Sequence, residues 1–521
     1  MGEQSQGEPR PSRRRFIGGT ASAVVAVGLG APAWGGGTLS GCRPRPDLPD
    51  GLFALGVASG DPRPDSVVLW TRLAPDPLHG GGMPTVDVPV AYEVAGDEGF
   101  RHVVRRGLVK ARPRWGHSVH AVVEGLRPDR WYWYRFRVHD EVSPVGRTRT
   151  TPAPGRGDDL RFLFASCQSW PSGYYTAWQH APEEDPDLVV HLGDYIYEGG
   201  VGSGVRPHNS GEIFTLDDYR NRYGLYKGDP ALQAIHAACP WVVTWDDHEV
   251  ENNYAGLTPQ DAAYAPGFAA RRAVAYQAWW EHQPVRMGPP RDESLRIYRS
   301  VDWGSLARFH VLDTRQYRDN QGCGTEDLGE TCADRTDPAR TILGADQERW
   351  LGRSLRSSPA VFDVLANQVV MTSMPLAGVL YNHDQWDGYA AARTRLLDQL
   401  RAAGPGTNPV VITGDIHASG VGDLVDEAPG SPSAGTELVG TSITSSFSSE
   451  LADVAEQLIE ALPHVRWADT HQRGYVACDV TRTRLVARYR LVDTVAQPTS
   501  PIATATTWTV EAGHLGPQEG G

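Results

Sequence analysis

Lysine is nearly missing from this 521-residue chain: Lys110 and Lys227 are its only lysines, and arginine carries the rest of the positive charge. Acidic residues outnumber basic ones, for a formal net charge of −14. That balance argues against a nucleic-acid-binding surface, which is normally basic. There is no C-x2-C pair, which removes the usual signature of a structural zinc site. No Gly-x-Ser-x-Gly elbow offers a serine nucleophile. Gly420-Val-Gly422 is too slight for a nucleotide-binding loop. There is no internal repeat and, past the N-terminal leader, no second long apolar run.

The residues that are present begin with that leader. Ser12-Arg-Arg-Arg-Phe-Ile17 fits a twin-arginine export signal, with Arg13 and Arg14 as the pair. The Ala- and Gly-rich run from about Gly18 to Ala33 is short for a membrane span. Leu39-Ser-Gly-Cys42 resembles a bacterial lipobox, which makes Cys42 a candidate lipidated residue. The expectation is export by the Tat machinery, to the extracellular space or to a lipid anchor on the outer face of the cytoplasmic membrane. This route carries folded proteins, so it suits one that acquires a metal before leaving the cytosol. Cys323 and Cys332 sit in a polar loop and are expected to form a local disulfide. Cys239 and Cys478 have apolar neighbours and read as buried thiols. Cys167 is the unusual one.

The length allows two or three domains. Residues 1–42 are the signal segment and 43–52 a linker rich in Pro and Asp. Residues 53–150 are β-rich, with short strands at 67–71, 88–94 and 119–123 between turn residues. Leu126-Arg-Pro-Asp-Arg-Trp-Tyr132 enters an alternating strand like the tyrosine corner of a fibronectin-type sandwich, with Tyr132 as the corner. Trp131 and Trp133 are expected to cover a core or a domain interface before serving any ligand. After the linker 150–157, residues 158–495 alternate strands with helices at about 270–283, 345–357, 390–403 and 450–461. Such alternation implies a layered α/β domain with helices outside. A last strand and a loose tail occupy 496–521.

Four apolar strands in that domain end in chemistry. Leu188-Val-Val-His-Leu192 runs through Gly193 into Asp194 and Tyr197. Leu160 to Ala165 runs into Ser166-Cys167, Trp241 to Trp245 into Asp246-Asp247-His248-Glu249, and Pro409 to Gly414 into Asp415-Ile-His417. The carboxyl edge of a sheet is where α/β proteins bind ligands. Four such endings in one domain are hard to explain as ordinary sheet construction. A phenolate is an unusual zinc ligand and suits a harder, oxidised ion such as ferric iron. The carboxylates and amides of Asp246, Asp247, Asn252, Asn253 and Asp415 favour Ca2+, Mg2+ or Mn2+ as companion. Asp194 has two oxygens with which to bridge them. Two metals about 3.5–4 Å apart would acidify a water and stabilise an in-line phosphoryl displacement.

The motifs Gly193-Asp-Tyr-Ile-Tyr197, Trp245-Asp-Asp-His-Glu249 and Gly414-Asp-Ile-His417 resemble those of the PhoD-type alkaline phosphatases, in the calcineurin-like metallophosphatase superfamily. Gly56-Val-Ala-Ser-Gly-Asp-Pro62, Val68-Leu-Trp-Thr-Arg72 and Phe309 to Arg315 add to the resemblance, which spans about 52–492. It implies a four-layer α/β sandwich of the metallophosphatase type behind an N-terminal β-sandwich. It implies ferric iron on Cys167, Asp194, Tyr197 and His417. It implies one or two calcium ions on Asp194, Asp247 and Asp415, with Asp246, Asn253 and Glu249 as weaker ligands; Mn2+ or Mg2+ could replace calcium. The superfamily's usual Asn-His pair stands here as Asp247-His248, and its Gly-His-x-His as Gly414-Asp-Ile-His417. Both changes bring in a carboxylate, as a harder second metal requires.

Plainer roles compete. His191, inside its strand, reads as a packed histidine, and Tyr195 as a core residue beside Tyr197. His248 is a candidate proton donor to the phosphate or a support for other groups. Arg315 is a candidate phosphate clamp, with ordinary surface pairing the commoner fate of an arginine. The expected activity is hydrolysis of phosphate mono- and diesters at alkaline pH. Its rivals are a phosphodiesterase or phospholipase D-like use of the same site, and a cell-surface binding protein with a vestigial hydrolase domain.

Overall fold

The computed structural model describes residues 47–521, except 201–203, 325–327, 377–378, 404–407, 429, 450–451 and 521. Contacts divide the chain into Met1–Asp47 and Leu48–Gly521, and every element named here belongs to the second unit. The twin-arginine and lipobox segments lie outside the described residues.

The strand that introduces Asp194 is short, apolar and buried at every position. Leu188–His191 (β2) lies between Asp159–Ala165 (β1) and Pro240–Val243 (β3), parallel to both. Strands covered on both faces need no polar alternation, which is why these read as continuous apolar runs. They form the middle of a ten-stranded sheet. Asn408–Thr413 (β4) and Thr436–Val439 (β5) are parallel neighbours in a second, seven-stranded sheet. The two sheets pack face to face. Phe162, Phe164, Val190 and Val242 from the first meet Phe309, Val364, Val410, Ile412 and Leu438 from the second. The rings of Phe162 and Phe309 meet edge to face at 5.2 Å.

Helices cover both outer faces. Leu163, Val189, Trp241 and Val243 pack under Trp178, Tyr219, Leu232 and Trp279. Val411 and Leu365 pack under Leu351, Leu355, Leu396 and Leu397. The order helix, sheet, sheet, helix is the expected four-layer arrangement. The helices run over Phe268–His282, Gly344–Arg356, Ala390–Ala402 and Ala452–Glu460, close to the periodic stretches in the sequence.

The N-terminal β-sandwich borrows one wall. Its five-stranded sheet, built on Val88–Ala95 and Trp131–Val138, packs Val90, Val94, Tyr132, Tyr134 and Phe136 against Val67, Leu69, Val119 and Ala121. Those last residues belong to Ser66–Arg72 and Ser118–Glu124, which are the final strands of the ten-stranded sheet. Val57–Gly60 joins them to β3 in parallel, with Ser59 opposite Pro240. The boundary expected near residue 150 therefore divides the chain in sequence but not in hydrogen bonding. Tyr132 forms its corner: the Arg127 N–H donates to its hydroxyl at 2.9 Å. Trp131 lies under the Arg147 guanidinium at 3.9 Å and packs against the helical layer, as an interface residue should. Cys323 and Cys332 are disulfide-bonded, and Cys167, Cys239 and Cys478 are buried free thiols.

Candidate metal centre

The loops after β1, β2, β3, β4 and β5 converge. Two glycines let them approach. A Cβ on Gly193 would stand 2.5 Å from the backbone nitrogen of Asp246, and one on Gly414 would stand 2.2 Å from Ser166 Oγ. The Gly-Asp pairs of the two motifs thus have a steric cause. Backbone bonds lock the crossing: Cys167 N–H donates to Gly193 O at 3.2 Å, and Gln168 N–H to Asp194 O at 3.1 Å.

Cys167, Asp194, Asn253, Asp415 and His417 all adopt positive φ, between 51° and 66°. Non-glycine residues enter this region at a cost, and such strain gathers at functional sites. Here it turns side chains sharply off the strand ends toward one point.

Three overlapping groups result, each with donor atoms within 4.8 Å of one another: Cys167, Asp194 and His417; Asp194, Asp247 and His248; Asp246, Asp247 and Asp415. Tyr197 completes the first. Its hydroxyl stands 3.0 Å from Asp194 Oδ2, 3.1 Å from His417 Nε2 and 2.7 Å from Ser445 Oγ. All six expected ligands are therefore assembled. Asp246 belongs to the third group. Asn253 contributes its backbone N–H to Asp247 Oδ2 at 2.6 Å. Glu249, a weaker ligand expectation, is withdrawn from the ligand groups, because backbone N–H groups occupy both its oxygens.

The electrostatics call for cations. Burial pushes the carboxyls of Asp194 and Asp246 well up and that of Asp415 to about 7. Against the same burial, Arg315 and His248 hold the Asp247 carboxyl low. Asp194 Oδ1 and Asp247 Oδ1 are buried and receive no hydrogen bond. Buried carboxylate oxygens are normally satisfied, so two orphans at the junction of three ligand groups fit metal coordination. The thiol of Cys167 and the phenol of Tyr197 are raised by burial, then by the charge of Asp194. A bound cation reverses that direction and takes the deprotonated ligand.

Arg315 departs from expectation. It is fully buried, not on the surface, and its nitrogens face Asp246, Asp384 at 2.7 Å, Asp415 at 3.2 Å and Asp247 at 3.7 Å. All three of its guanidinium nitrogens are paired with these carboxylates. His248 is half-buried. Its Nδ1 is 2.7 Å from Glu198 Oε2, and its ring lies 4.0 Å from that of Tyr197. Burial lowers the affinity of the ring for a proton, but Glu198, Asp247 and Asp194 more than offset this and raise it. His191 is a packed histidine stacked on Trp241, and Tyr195 points into the core with its hydroxyl 2.8 Å from His236 Nε2.

Sequence reading missed Asp384, Glu198 and Ser445. Asp384 lies just past a three-residue, half-buried strand, Leu380–Asn382, which has no apolar run to announce it. Glu198 adjoins the Tyr197 motif. Ser445 follows β5 and Gly440, the strand-then-glycine pattern that also precedes Asp194 and Asp415.

Comparison with known proteins agrees with this geometry. Residues 162–489 match the family described as PhoD-like phosphatase, and residues 41–152 its N-terminal domain. Alkaline phosphatase D of Bacillus subtilis (strain 168) is 46% identical over 520 residues, covering 97% of this chain and 88% of that protein. A solved structure of PhoD superposes with a TM-score of 0.86 at 45% identity, covering 91% of this chain and 93% of that one. A purple acid phosphatase, PPD1 from yellow lupin seeds, shares the fold at a TM-score of 0.53 and 14% identity, covering 88% of this chain and 73% of that one. With its cluster of donor side chains at the strand ends, its N-terminal sandwich and matches along nearly its whole length, this chain belongs to the PhoD-like phosphatase family and is a phosphoric ester hydrolase.

Proposed function

We propose that this chain hydrolyses phosphate mono- and diesters at a centre bridged by Asp194. One observation carries the reading. Asp194 belongs both to the Cys167 and His417 group and to the Asp247 and His248 group, with one oxygen on Tyr197 and the other without a donor. Cys167, Asp194, Tyr197 and His417 would hold Fe3+. Asp194, Asp247 and Asp415, with Asp246, would hold Ca2+, or Mn2+ or Mg2+ in its place. When bound, such ions acidify water and offset charge on the phosphoryl oxygens.

The chain's own groups do the rest. Glu198 accepts from His248 Nδ1 and fixes the imidazole, so Nε2 is the nitrogen left for a ligand. A ring kept protonated by its carboxylates can donate to a phosphoryl or leaving-group oxygen. Arg315 holds Asp246, Asp247 and Asp415 in place from behind. Family membership and the intact donor set speak against a vestigial hydrolase domain.

Assays on protein of measured metal content test this, with para-nitrophenyl phosphate, its bis-ester and phosphatidylcholine as substrates. Turnover of the monoester and the diester is expected. Turnover of the lipid alone would replace the reading with a phospholipase D-like one, and no turnover with full metal occupancy would remove it.

We also propose export by the twin-arginine route and lipidation at Cys42, on the strength of Arg13, Arg14 and Leu39 to Cys42. Replacing Arg13 and Arg14 with Lys should leave the protein in the cytosol, and Cys42→Ala should release it from membranes. Unchanged fractionation of both variants would refute this.

A further inference from the structure

We infer that Glu249 is a positioning residue: a carboxylate brace that joins the two ligand loops and sets how tightly the centre holds its metals. The inference rests on the metal-centre reading above. Glu249 Oε1 accepts from the Tyr195 N–H at 2.7 Å. Its Oε2 accepts from the Asp194 N–H at 3.0 Å and from the Asp246 N–H at 2.8 Å. The first two donors lie on the loop after β2 and the third on the loop after β3. One side chain therefore ties both loops at the backbone of Asp194 and Asp246, and at one residue from Asp247.

The site is fully closed: Glu249 is 0% exposed. It touches no solvent from which a substrate could reach it, and it is not among the atoms grouped as ligands. The loop after β2 leaves its strand through strained backbone, since Asp194 is at φ 54°. A strained turn needs fixed partners if its side chain is to stay aimed. Three backbone N–H groups converging on one carboxyl supply such partners. An amide could not replace it. Glutamine has one acceptor oxygen and turns an NH2 toward at least one of three N–H groups.

The test compares metal retention in the holoenzyme and its Glu249→Gln variant. Both are titrated with a chelator, bound metal is read by elemental analysis, and melting is followed before and after stripping. Groups that orient metal ligands are worth roughly 10–100-fold in metal affinity. The variant should release metal at a chelator concentration lower by about that factor. Its stripped form should melt close to stripped wild type, because the lost bonds are offset by one fewer buried charge beside Asp194, Asp246 and Asp247. Equal retention, or weaker retention fully matched by the fall in the stripped midpoint, would overturn the inference. Wild-type protein that is active without metal would instead overturn the metal-centre reading. Should the variant fail to fold, hydrogen exchange on wild type decides. Peptides containing Asp194, Tyr195 and Asp246 should stay protected after stripping, and exchange at the rate of exposed loops would refute the brace.

Discussion

At the scale of single residues, charge explains most of what the centre does. His248 is flanked by Glu198, Asp194 and Asp247, which raise its affinity for a proton in an otherwise desolvating pocket. His248→Asn should keep the metals and lower kcat by about 10²–10⁴-fold, the usual worth of a positioned proton donor. Steady-state kinetics with elemental analysis checks this, and lost metal would make His248 a ligand instead. The carboxyls predict a pH dependence for stripped protein. Asp415 and Glu249 sit at about 7 in the folded chain, above their ordinary values of 3.8 and 4.5. The folded state therefore binds protons that the unfolded state has released. Their contribution is favourable in acid and is lost as pH rises toward 7. Stripped protein should melt lower at pH 8 than at pH 5, and added metal should restore more stability at the higher pH. A melting point that rises with pH in stripped protein would contradict this.

At the scale of elements, the legible part of the sequence was each apolar strand with the few residues just past its end. Leu188–His191 announced itself by a buried apolar run, and Asp194 and Tyr197 by their place after it. The same rule found Cys167 and Asp247, on parallel strands of one sheet that end on the same edge, and Asp415 and His417, at the end of a parallel strand in the second sheet. It could not find Asp384, which follows the short half-buried strand Leu380–Asn382, or show that Arg315 is buried. The burial of Arg315 depends on four carboxylates that meet only after folding. Nor could it tell a ligand from a brace in Asp246-Asp247-His248-Glu249, where adjacent carboxylates differ in whether backbone N–H groups already occupy them. The glycines before Asp194 and Asp415 were visible, but their function as points of close approach was not. Gly193→Ala would press a methyl group against the Asp246 backbone at φ 115°. It should cost about 1–3 kcal/mol in strain and lower metal retention, read by denaturant titration and elemental analysis. A variant with unchanged stability would show the loops to be looser than described.

At the scale of the whole molecule, the layers were legible and the shared sheet was not. Alternation of strand and helix pointed to a layered domain, and Tyr132 to a sandwich before it. Nothing in the spacing showed that Val57–Gly60 would pair with Pro240–Val243, since that contact spans most of two domains in sequence. The consequence is testable. Removing residues 48–150 would strip β3 of its neighbour and leave an unpaired edge beside Asp246 and Asp247. Exposed edges template aggregation. The truncated protein should be insoluble or self-associated by sedimentation, and a monomeric, active fragment would show the sandwich to be dispensable.

The proposed function requires distant strand ends to meet around a metal pair, with Tyr197 on the harder ion. A visible absorption spectrum of the purified protein, taken with elemental analysis, reads that arrangement without an assay. Such a centre should show bound iron and a visible band that Tyr197→Phe abolishes while iron is retained. A colourless, iron-free and fully active enzyme would contradict it.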